Sequence, residues 1–90
     1  ISPRQLILGM HARGFISGAE AVAAATTGAM PAAVEAVVLT LPAEAQIAAR
    51  VTWARMTVVL RIDPLVDLLA ASQGLSAAEV DAFFAACAAL

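Results

Sequence analysis

The chain has 90 residues, of which 62% are hydrophobic and 13% are charged, and its formal net charge is −2 at pH 7. A chain of this length forms one small domain with a marginal core, and its apolar surplus excludes intrinsic disorder. Five arginines, no lysine and no basic cluster exclude the electrostatic footprint of a nucleic-acid-binding protein.

The longest stretch without a charged residue is short. It covers residues 21–34, whereas a membrane-spanning helix needs about 20 largely apolar residues, so no membrane span is predicted. Because the first residue is Ile and not Met, we expect residues 1–90 to be a single helical module that is a segment of a longer chain.

Capping chemistry sets the predicted helices. A Ser three residues ahead of Gln or Glu satisfies first-turn amides reciprocally, and three such capping boxes occur. They pair Ser2 with Gln5, Ser17 with Glu20, and Ser76 with Glu79. Prolines suited to first turns and glycines suited to helix ends mark the remaining boundaries. The six predicted helices cover residues 3–13, 18–27, 31–40, 42–61, 64–73 and 77–89.

The fourth segment is predicted to be the longest helix. Ile47, Val51, Ala54 and Val58 recur at spacings of four, three and four residues, which is a helical pattern. The helix then continues through the β-branched run around Val58 and spans about 30 Å. The predicted fold class is all-α, with five to six short helices, one longer central helix and no sheet.

Few charges cover these helices. No Asp or Glu has an Arg three or four residues downstream, so the ion pairs that commonly support a solvated helix are missing. Alanine occupies many positions where an exposed helix carries Lys or Glu. Since monomeric proteins seldom expose large apolar patches, we expect burial against neighbouring chains or against the rest of a longer chain.

No residue pattern indicates catalysis or metal binding. His11 is the only imidazole and Cys87 the only thiol, whereas a zinc site needs three or four ligands. Nucleophile-elbow and phosphate-binding glycine patterns are absent from the sequence. We predict no catalytic residue, no metal site and no cofactor, with His11 structural or interfacial and Cys87 a small core residue.

Two side chains leave alternatives open. Trp53, the only Trp, is either a core residue or an interface anchor. Asp81, on the last predicted helix, either is partly buried and bonds Arg61 or is simply solvated.

The order of several short motifs resembles a small helical region of tailed-bacteriophage and prophage proteins, often near the end of tail or tail-fibre related proteins. The motifs are Ile1 to Leu6, Leu41-Pro42, Trp53, Arg61 to Val66, Gly74 to Ser76, and Asp81 with Phe83-Phe84. The resemblance implies structural or interaction residues and no catalytic ones. By position these are Gln5, Trp53, Arg61, Pro64, Asp81 and Phe84.

The resemblance implies a structural module of a phage virion, present in the particle and in the bacterial cytoplasm during assembly. Its partners would be copies of itself or other virion proteins, and a trimer would suit a fibre-like part. An assembly chaperone that is absent from the finished particle is the first alternative. A small membrane-active helical protein is the second, although the basic polar face of such proteins is missing here.

Overall fold

A computed structural model describes residues 1–90 and contains six α-helices, which hold 68% of the residues, and no strand. The predicted all-α class is therefore confirmed. The helices are α1 (Pro3–Ala12), α2 (Gly18–Thr27), α3 (Ala32–Val38), α4 (Ala43–Arg55), α5 (Pro64–Ser72) and α6 (Ala77–Ala88).

All three predicted capping boxes form, and they start α1, α2 and α6. At α6, the Ser76 hydroxyl accepts from the Glu79 amide at 3.2 Å while the Glu79 carboxylate accepts from the Ser76 amide at 3.1 Å. Gly14 ends the turn after α1 with a φ of +74°, a left-handed conformation that glycine adopts without a steric penalty. Local chemistry thus fixes most helix boundaries.

Glu20 links two helices at their first turns. Its carboxylate accepts from the Ser17 amide at 3.0 Å, which completes the cap of α2, and from the Ala32 amide at 2.8 Å at the start of α3. Hydrogen bonds from the Ser17 and Ala32 backbones lower the pKa of Glu20. One acid therefore stabilises the angle between consecutive helices.

The prediction of a 20-residue central helix is wrong. Helix α4 ends at Arg55, and Met56 is extended, with φ −63° and ψ 135°. Farther along, Val59 is buried, its amide donates to the Ile1 carbonyl at 2.7 Å, and its carbonyl accepts from the Ile1 amino group at 3.2 Å. The β-branched residues after Met56 lose little by leaving the helix, and burial with two backbone bonds favours the extended path. At 13 residues, or about 20 Å, α4 is still the longest helix.

The main helix contacts fall into two groups. Helix α1 contacts α2 and α6, and helix α3 contacts α4 and α5. Only 15 of the 90 residues are buried, so the core is thin, as the chain length predicts. The main core cluster contains Leu6, Met10, Ile16, Ala24, Val34, Val38, Trp53, Val59, Phe83 and Cys87.

Helices α1 and α6 approach each other closely at Gly9. Gly9 faces Cys87 so tightly that a Cβ at position 9 would overlap the Cys87 Sγ and lie 3.3 Å from the Phe83 ring. Cys87 is fully buried, which confirms it as a core residue, and burial raises the pKa of its thiol. The absent side chain of Gly9 is therefore what allows the two helices to approach.

Candidate interaction surface

The six residues expected from the resemblance do not converge on one site. Gln5 completes the α1 capping box and also donates from Nε2 to the Ala88 carbonyl at 3.3 Å, which ties α1 to the end of α6. Pro64 is the first residue of α5, capped by the Asp63 carboxylate. Of the six, the structure joins Arg61 and Asp81 by a direct polar contact.

Arg61 connects the turn before α5 to α6. Its Nε donates to Asp81 Oδ1 at 2.8 Å, and its other nitrogens reach Asp67 Oδ1 at 3.4 Å and the Ala77 carbonyl at 3.3 Å. Of the two alternatives for Asp81, the structure shows the bond to Arg61. The partial burial expected for Asp81 is wrong, because 68% of its side chain is exposed; the contact positions two elements without enclosing a charge.

Both aromatic positions are packed. Trp53 lies in the core at 8% exposure, so the core alternative holds within this chain. Phe84 is half-buried, and its ring stands edge-on to Phe83 with the centroids 6.2 Å apart. Neither ring offers an open stacking platform.

Groups with chemical reactivity are dispersed. His11 is exposed, and its Nδ1 lies 3.4 Å from the Ile16 carbonyl oxygen. No group of three or more His, Cys, Asp or Glu side chains is arranged to hold a metal ion.

A small cavity of about 60 Å³ lies mainly between α1, α5 and α6. Gln73 is the one polar residue among the 12 that line it. Ligand pockets usually enclose about 300 Å³ or more, so this cavity is small compared with a typical ligand site.

The most unusual feature is exposed aliphatic surface along residues 47–62. Nine large hydrophobic side chains are exposed in the whole chain, and five of them fall in this stretch. We call these five the outer strip: Ile47, Val51, Val58, Leu60 and Ile62. Their exposed fractions run from 53% for Val58 and Leu60 to 82% for Ile62.

The two faces of α4 account for two of the five residues of this strip. Ile47 and Val51 are four residues apart and share the outward face, whereas Trp53 and the half-buried Ala49 face the core. On the flank, Arg50 clamps Glu35 of α3 with two hydrogen bonds of 2.7 and 2.8 Å, and this contact lowers the pKa of Glu35. The orientation of α4 is thus fixed by the tryptophan and by a bidentate ion pair.

The apolar spacing of segment four did not reveal which face points outward. Ile47 and Val51 belong to one helical stripe, and a stripe of this kind is ordinarily the buried one. The signal that distinguishes the faces is Trp53, the largest side chain, which lies with Ala49 on the opposite side of the same helix. A bulky aromatic next to small residues would have identified the core face.

Membrane-spanning length is not reached by any one helix; only α2 and α3 taken together satisfy the length and composition requirement, and they are bent by 70°. Comparisons with family models, with curated proteins and with solved structures find no match to this chain. The outer strip is the most prominent exposed apolar feature of the chain.

Proposed function

We propose that this chain is a structural interaction module that associates, through the outer strip, with copies of itself or with other proteins. The observation that carries the proposal is the exposure of five large aliphatic side chains by a domain with only 15 buried residues. Burying apolar surface yields about 25 cal/mol per Å², so covering the strip is favourable. Large exposed apolar patches on small domains commonly mark protein interfaces.

We further propose that the module belongs to a tailed-bacteriophage particle, in a tail, tail fibre or baseplate. This setting is supported by the sequence resemblance alone. The thin core and the sparse charges support association in general and not this setting in particular, because a segment packed into any assembly keeps little surface in contact with water.

Association through the strip is tested by making it polar. The triple variant Ile47→Ser/Val51→Ser/Leu60→Ser removes three of its five side chains, and Val22→Ser/Leu39→Ser removes exposed aliphatic groups elsewhere on the surface. We expect light scattering to give the unmodified chain and the control a mass above 9.1 kDa that grows with concentration. The strip variant should remain monomeric with an unchanged circular-dichroism spectrum. Equal masses for the two variants would contradict the proposal.

The virion setting is tested by mass spectrometry of purified particles from a phage or prophage that encodes this chain. Recovery in a fixed ratio to known tail proteins is expected for a structural module. Presence in the infected cell together with absence from finished particles would instead identify an assembly chaperone.

A further inference from the structure

The outward face of α4 carries one acid near its start and one base at its end, and neither has a partner within the chain. Glu44 and Arg55 are both exposed, and the three ion pairs of the structure use Arg50 and Arg61 instead. Eleven residues correspond to three helical turns plus about 20°, so the two charges lie on one line about 16 Å apart. Val51 lies on the same line between them.

The two charged residues of this face and its two apolar residues have nearly the same midpoint along α4. The midpoint between positions 44 and 55 is 49.5, and the midpoint between positions 47 and 51 is 49. If a second α4 helix is related to the first by a two-fold axis through this centre, Arg55 of one helix lies opposite Glu44 of the other. Val51 of one helix then lies opposite Ile47 of the other. The small side chain of Ala48 is next to the centre, where two helices would approach most closely.

We infer that a second copy of this chain docks on this face, with the two α4 helices antiparallel across a two-fold axis. Glu44 of each copy then meets Arg55 of the other, and Ile47 packs beside Val51 of the other. The inference rests on the proposed function, because it assigns a geometry and an occupant to association through the outer strip. An interface of this kind is isologous and closed, so it gives a dimer.

Charge complementarity selects this arrangement over parallel ones. A parallel pair would place Glu44 against Glu44 and Arg55 against Arg55, and like charges facing each other across an interface oppose association. A trimer of parallel α4 helices has the same defect. The dimer therefore replaces the trimer expected for a fibre-like part, as far as contacts through α4 are concerned.

The test exchanges the charges one at a time. The Glu44→Arg chain has only basic charges on this face, and the Arg55→Glu chain has only acidic ones. We expect sedimentation equilibrium to show self-association of each single variant weakened by at least about tenfold, which corresponds to about 1.4 kcal/mol. An equimolar mixture of the two variants should form a mixed dimer, because each Arg then meets a Glu. The double variant Glu44→Arg/Arg55→Glu should also dimerise.

Arg4→Glu is the matched control, since Arg4 is exposed on α1, makes no ion pair, and its substitution changes the net charge by the same amount as Arg55→Glu. It should associate as the unmodified chain does. Single variants that self-associate normally, or a mixture that stays monomeric, would overturn the antiparallel dimer. One further outcome separates this inference from the proposed function. If polar substitution of the strip abolishes association but the charge exchanges leave it unchanged, association through the outer strip is supported and the antiparallel dimer is contradicted. An unmodified chain that stays monomeric would overturn the dimer as well.

Discussion

Apolar groups are tightly packed where α1 contacts α6, whereas they are exposed to solvent on the outer face of α4. Gly9 and Cys87 meet with no space for one more methyl group, and Cys87 is fully buried. On α4, Ile47 and Val51 each leave 58% of their surface exposed. The contact between α1 and α6 has no space for tighter packing. The exposed side chains of α4, in contrast, would lower the free energy of the protein if another surface covered them. The difference indicates that the first region maintains the fold and the second is available for association.

The largest expected effect separates the two faces of α4. Trp53→Ala should lower the free energy of unfolding by about 3–5 kcal/mol, because the buried ring leaves a cavity that the neighbours cannot fill. Val51→Ser, on the exposed face two residues earlier, should change it by no more than about 0.5 kcal/mol. Urea denaturation at a concentration where the chain is monomeric measures both. Similar losses for the two variants would show that α4 does not have one core face and one free face.

The α1–α6 contact is tested by adding the missing methyl group. Gly9→Ala should destabilise the chain by about 1–3 kcal/mol through overpacking against Cys87 Sγ. Cys87→Ala removes the sulfur, so the double variant should recover most of that loss. A double-mutant cycle of the denaturation free energies gives the coupling. Strictly additive effects of the two substitutions would be incompatible with direct contact.

A smaller loss of stability is expected when the N-terminal cap of α6, the helix that carries Cys87, is removed. Ser76→Ala removes the hydroxyl that accepts from the Glu79 amide and should cost about 1 kcal/mol. Ser72→Ala is a suitable control, because the Ser72 hydroxyl donates only to the Leu69 carbonyl near the end of α5. Thermal or urea unfolding should distinguish the two, and equal stabilities would argue against the capping box.

The smallest effect is a dependence on pH at the junction of α2 and α3. Hydrogen bonds from the Ser17 and Ala32 backbones hold the pKa of Glu20 below its ordinary value of 4.5. The folded state thus favours the charged carboxylate, and this stabilisation is complete above pH 4.5 and is lost as pH falls through the lowered pKa. Glu20→Gln should flatten the decline in stability between neutral and acidic pH relative to the unmodified chain. Glu44→Gln, which removes the same charge without removing a cap, should retain the decline.

Helix starts could be predicted from the sequence because capping acts over three residues. The hydroxyls of Ser2, Ser17 and Ser76 and their Gln or Glu partners are close in the chain, so no tertiary information is needed. The sequence left the pairing of Arg61 with Asp81 open against a solvated Asp81, and it placed Arg61 at the end of the fourth helix instead of in a turn. Helical spacing places Asp81 on the last helix, but the turn that brings Arg61 to it follows from the early end of α4 at Arg55.

The end of α4 could not be predicted for the opposite reason, whereas Trp53 marks in the sequence which face of that helix is buried. Val59 lies outside the helix and bonds Ile1, which is 58 residues away in the chain. Helix propensity depends on neighbouring residues only, so it gives no information about such a distant partner. The contact of Arg50 with Glu35, which also orients α4, likewise joins residues that are 15 positions apart in the chain. Both features depend on the packing of distant elements, and tertiary contacts override local preference in such cases.

Sedimentation equilibrium of the unmodified chain over a wide range of concentrations tests the central claim most directly. The claim is that the exposed face of α4 is an interface. The mass should rise from 9.1 kDa at high dilution towards twice that value as the concentration increases. A mass of 9.1 kDa at every concentration, with the helical spectrum intact, would contradict it.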